Sequence, residues 1–110
     1  MNTLILLAAL SSQITFKTSL QDNMTTIIPQ VMLTESCDCQ VQIIAMREGQ
    51  GGQSTSRQQN TLFIPANQTI DLTRLSLNIN AGDTVNIVVT VSDGKSIHLS
   101  QQWSPAGSAL

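Results

Sequence analysis

Two cysteines stand one residue apart in Cys37-Asp38-Cys39, and the chain has no other thiol. On an extended strand, residues i and i+2 point to one face with Cα atoms roughly 6.5–7 Å apart. A disulfide prefers Cα separations of about 4.4–6.8 Å, so this pair bridges only where its strand bends. Such a bond would be strained and easily reduced, which is the profile of a redox-active pair. It would also close too small a loop to restrain the unfolded chain. Two other readings stand beside that one. Both thiols can be small buried hydrophobes continuing a Val41, Ile43, Ala45 face, or they can be metal ligands. Metal is the weakest, because a tetrahedral site needs more than two sulfurs and the chain has one histidine. A carboxylate at Asp38 disfavours thiolate, which counts against a fast nucleophile.

Little else in the chain offers chemistry. His98 has the parity opposite to Ile97 and Leu99, which makes it a solvated surface residue. No nucleophile elbow accompanies it. Gly51-Gly52 lacks the following Lys-Ser/Thr of a phosphate cradle. Asn23-Met24-Thr25 and Asn67-Gln68-Thr69 match the glycosylation pattern, which is short enough to recur by chance. An enzyme cleft gathers perturbed titratable groups, and only 11% of these residues are charged. The expectation is therefore no enzyme, no catalytic residue, no cofactor and no bound metal.

The elements that must position these residues are strands. Period two runs from Gln13 onward, and no stretch holds helical spacing. Ile14 and Phe16 mark a short first strand, and Ile27, Val31 and Leu33 lie on one face of a second from Thr25 to Thr34. Pro29 interrupts that face, so an edge position or a bulge is expected there. Cys37 to Met46 is a third strand and Thr61 to Ile64 a short fourth. Between them, Glu48 to Asn60 is Gly/Gln/Ser-rich and reads as a mobile loop. Ile70 and Leu72 have even parity, whereas Leu75, Leu77 and Ile79 have odd parity. A one-residue slip reverses every side chain, so Thr73–Arg74 should hold a bulge or corner. Thr84 to Ser92 is the cleanest strand, with Val85, Ile87, Val89 and Val91 inward. Asp93-Gly94 then suggests a type I′ turn into a last strand carrying Ile97, Leu99 and Trp103. Val41, Ile43, Leu77, Ile79, Val85, Ile87, Val89 and Leu99 form the expected core. About seven antiparallel strands of this kind read as an all-β, immunoglobulin-like β-sandwich.

Composition bounds the remaining choices. A chain of 110 residues makes one ordinary domain, and its 41% hydrophobic content fits a globular fold. The formal charge is −2 with no basic run, which excludes the electrostatic footprint of a nucleic-acid binder. Leu4 to Leu10 is an apolar run of seven residues, far short of the ~20 that span a bilayer. Small residues follow it, as in an export signal; a hydrophobic first strand is the other reading. The chain accordingly divides into a signal-like segment at 1–11, a sandwich domain at 12–104, and a polar tail at 105–110 that should fray.

Several stretches carry a resemblance. Met1-Asn2-Thr3-Leu4 through Leu10-Ser11-Ser12-Gln13-Ile14-Thr15-Phe16, Cys37-Asp38-Cys39, Val89-Thr90-Val91-Ser92-Asp93-Gly94 and His98-Leu99-Ser100-Gln101-Gln102-Trp103 together resemble the CsgC family of curli assembly proteins. The likeness runs to Trp103, and the tail from Ser104 to Leu110 departs from the family pattern. It implies a small immunoglobulin-like protein of the periplasm of enteric bacteria. That protein would act as a monomer, keeping the major curli subunit from polymerising into amyloid before export. The partners implied are curli subunits and the curli secretion channel. The family's Cys-x-Cys maps onto Cys37 and Cys39, which carries a second reading: thiol–disulfide exchange on the secretion machinery. A purely structural pilus accessory is the third.

Overall fold

The protein was analysed as a computed structural model that describes residues 11–105. The signal-like segment and the polar tail therefore lie outside the described residues, apart from Ser11 and Pro105. Among the described residues the fold is all-β, with eight strands where about seven were expected. They are β1 Gln13–Gln21, β2 Met24–Met32, β3 Cys37–Gly49, β4 Gly52–Ile64, β5 Thr69–Asp71, β6 Leu75–Leu77, β7 Thr84–Ser92 and β8 His98–Trp103. They form two antiparallel sheets. In one, β2 pairs with β1 on one side and with both β5 and β6 on the other. In the second the order is β4-β3-β7-β8.

The core lies where the inner faces meet. Ile27 and Val31 of the first sheet, with Leu33 just past the end of β2, pack with Cys39, Ile64, Ile87, Val89 and Val91 of the second, and all of these are fully buried. Five of the eight expected core residues, Val41, Ile43, Val85, Ile87 and Val89, are buried, whereas Leu77, Ile79 and Leu99 are half-buried. The three exceptions sit on the edge strands β6 and β8 or just beyond β6, where one flank has no neighbouring strand to cover it.

The parity change is a corner, as the pattern requires. Asp71 stands opposite Gln30, while Leu75 stands opposite Ile27. Four residues on one strand therefore match three on the other, and every side chain flips face between β5 and β6. Pro29 explains why the break falls there. Its carbonyl accepts from Leu72 N–H at 2.8 Å, so its ring nitrogen faces the same side and cannot donate to a continuous partner strand. The proline is buried in the middle strand of its sheet, so of the two expected placements the bulge is the one found.

Two expectations need correction. Glu48 to Asn60 is not a mobile loop: β3 and β4 pair along thirteen positions, from Cys37↔Ile64 to Gly49↔Gly52, and turn at Gln50-Gly51. Backbone pairing to β3 satisfies the polar chain, so no apolar alternation is needed to hold it. The turn after β7 is also different. Asp93-Gly94 opens a longer loop in which Gly94 has a positive φ of 80° and Asp93 does not. Asp93 Oδ1 instead accepts from Lys95 N–H and Ile97 N–H at 2.7 and 3.0 Å, an Asx-type turn that delays β8 to His98. The turn with positive φ at both central residues is Asp22-Asn23, at 54° and 66°, joining β1 to β2. Asn and Asp tolerate that conformation, and their pairing was the available signal.

Candidate functional site

Cys37 and Cys39 are joined by a disulfide at the start of β3. Their Cα atoms lie 5.3 Å apart, shorter than the roughly 6.5–7 Å of extended strand, so the strand opens on a local bend. Cys39 has no exposed surface and Cys37 keeps 6%. Both belong to the core cluster with Leu33, Val41 and Ile64. The pair is thus bonded and buried together. Attack by an external thiolate needs access to a sulfur, and burial of both cysteines restricts it. Asp38 points to the exposed outer face, opposite Phe63 of β4. His98 is exposed at the first position of β8, opposite Ser92. The described residues contain no group of three metal-ligating side chains.

A second cluster fixes the far end of the β3–β4 hairpin. Arg47 Nη2 donates to Asp83 Oδ2 at 2.8 Å, and Asn80 N–H donates to the same oxygen at 3.0 Å. The Asn80 amide first, and then the Arg47 guanidinium, hold the Asp83 carboxyl below its ordinary range. Gly49 is required beside it, because a Cβ there would overlap the carboxylate. The loop between β6 and β7 is thereby tied to the hairpin. Its chemistry is structural.

The largest exposed feature is β4 itself. Its residues are exposed or half-exposed on both faces from Gly52 to Phe63, and only Ile64 is buried. Arg57 is its single charged residue, among Gln53, Ser54, Thr55, Ser56, Gln58, Gln59, Asn60 and Thr61. Phe63, 59% exposed, closes the row. β4 pairs with β3 on one side and with no described strand on the other. Between its inner face and the β5–β6 corner runs a groove of about 240 Å³. Gln58, Asn60 and Leu62 form one wall, Asp71, Leu72 and Thr73 the other, and Val41 and Ile43 the floor. None of this was expected from the pattern of apolar residues. A strand exposed on both faces carries no period to read.

Fold and surface together define a small two-sheet β protein whose exposed chemistry is that of uncharged amides and hydroxyls. The family model of the thin aggregative fimbriae synthesis protein, Tafi-CsgC, matches residues 5–103, and the chain belongs to that family. It is 65% identical over 106 residues to the curli assembly protein CsgC of Escherichia coli strain K12, covering 96% of each chain. Against the curli assembly protein CsgC of Salmonella typhimurium strain LT2 it is 61% identical over 106 residues, covering 96% of this chain and 98% of the relative. The solved E. coli curli protein CsgC superposes with a TM-score of 0.82 at 64% identity, covering 86% of this chain and all of that one. The solution structure of R. palustris CsgH shares the fold, with a TM-score of 0.68 at 15% identity over 86% of this chain and 92% of its own. The role of this protein is therefore in curli assembly.

Proposed function

We propose that the protein acts in the periplasm to keep curli subunits from polymerising prematurely, by transient, chaperone-like binding and without covalent chemistry. The observation that carries this reading is β4. A protein of a curli assembly family presents a long, uncharged, amide-rich strand to solvent, and it matches in kind the strands that stack into cross-β fibrils. Binding to rare early oligomers delays fibrils at low molar ratio, whereas capture of monomer needs near-equal amounts by mass action. The disulfide supports binding over thiol exchange, because both of its cysteines are buried in the core of the folded chain. Curli subunits are the clients, and the curli secretion channel is the second candidate partner.

The test is dye-monitored fibril formation by purified curli subunit over a dilution series of this protein. The lag phase should lengthen far below one copy per subunit. An unchanged lag at equal concentration would overturn the reading. The same series with a Cys37→Ala, Cys39→Ala double variant separates the exchange alternative: inhibition by binding survives the loss of both sulfurs.

A further inference from the structure

We infer that the free edge of β4, with the groove beside it, is where an extended client segment docks by adding a strand to the β4-β3-β7-β8 sheet. This rests on the amyloid-inhibition reading and names its binding site.

A comparison of the four sheet edges leads to β4. Natural proteins blunt their edges with charge, brevity, breaks or covers. β5 and β6 are three residues each and are separated by the corner, so they offer no continuous template. β1 carries exposed Lys17 at its centre. The first residues of β1 also share a groove with Leu99, Ser100 and Gln101 of β8, so these two edges lie beside one another. β8 is only six residues long. β4 has none of these devices except Arg57, along thirteen residues.

The groove turns an open edge into a site. Strand addition draws affinity from main-chain hydrogen bonds and specificity from pockets that take alternate side chains. A strand laid against β4 projects every second side chain toward the space between Gln58, Asn60 and Leu62 and the facing Asp71, Leu72 and Thr73. Asp71 is already engaged by Gln30 Nε2 at 2.7 Å. Beside that carboxylate the walls offer the Gln58 and Asn60 amides, the Thr73 hydroxyl, and the apolar Leu62 and Leu72 above an apolar floor, which suits the Gln, Asn and Ser side chains of an amyloid-forming strand. Phe63 adds an exposed aromatic surface at the end of the row. Arg57 on the outer face gives the docked strand a charged neighbour, which disfavours a further uncharged layer.

Charge introduced into the groove tests the site. Gln58→Lys with Asn60→Lys places inward-pointing charge at the edge, whereas Gln59→Lys with Thr61→Lys adds equal charge to the outer face of the same strand. Thr73→Lys reaches the groove from the opposite wall without touching the β3–β4 ladder, should the first pair fail to fold. Each variant is compared with wild type in the curli-subunit fibril assay, after circular dichroism has confirmed the fold. The groove variants should need about tenfold more protein for the same lag, a loss near 1.4 kcal/mol of binding. The outer-face pair should stay within about twofold. Groove variants that inhibit like wild type overturn the site, as does a loss confined to the outer-face pair. A wild-type dimer that the groove variants dissolve also overturns it, since the occupant would then be a second copy. A wild type that fails to inhibit overturns the function instead, so the two failures are distinguishable.

Discussion

β3 is flanked by two strands of opposite character. On one side β7 alternates strictly, with Val85, Ile87, Val89 and Val91 buried and its other residues half-buried or exposed. On the other side β4 is polar from Gln53 to Thr61 and exposed or half-exposed on both faces there. Both pair with β3 in antiparallel register along most of its length. β7 is held by apolar burial, which contributes roughly 25 cal/mol per Å² removed from water. β4 is held by backbone pairing to a strand that others have already fixed. The comparison teaches that stability and function have been divided between the two flanks: one side anchors β3, and the other is free to present hydrogen-bonding groups to a partner.

The sharpest way to break that comparison is truncation. Ile87→Ala or Val89→Ala should cost roughly 2–4 kcal/mol by urea denaturation, through lost transfer energy and the cavity left behind. Ser56→Ala or Gln59→Ala on β4 should change stability by less than about 0.5 kcal/mol. Similar costs on the two strands would show that β4 is packed rather than exposed.

The hairpin tip gives the next effect. Gly49→Ala drives a Cβ into the Asp83 carboxylate, so it should lower the melting temperature in the same direction as Asp83→Asn. Because both act on one contact, the double variant should be little worse than the more damaging single. Full additivity would place Gly49 outside the Arg47–Asp83–Asn80 cluster.

Acid should produce a smaller effect. The Asp83 and Asp93 carboxyls are held below the ordinary aspartate range, the first by the Asn80 amide and Arg47, the second by the Lys95 and Ile97 amides. A depressed native value means that the unfolded chain binds protons at the higher pH. The contribution is complete above the unfolded value and is lost as pH falls through the native one. Urea midpoints should therefore hold from neutral pH down to about 4 and fall below it. Asp83→Asn should flatten part of that fall, and an unchanged profile would remove Asp83 from the account.

What was legible in the sequence follows from the same physics. β7 was readable to the residue because its burial is one-sided, and the Thr73–Arg74 corner because a parity change has one geometric meaning. The cysteine pair was readable as a shared face, though which use it serves depended on burial that spacing does not encode. Only the end of β4, Thr61 to Ile64, was legible as a strand; the Gly, Gln and Ser content up to Asn60 is that of loops, and the strand signal there is the partner across the ladder. The edge and groove were therefore invisible until β3 and the β5–β6 corner stood beside them.

The most direct test of the account is amide hydrogen exchange in this protein, with and without an excess of early curli-subunit oligomers. The account predicts added protection at alternate amides of Gly52–Ile64 and little change along β1 or β8. Fibril delay accompanied by protection elsewhere, with the β4 amides unchanged, would contradict it.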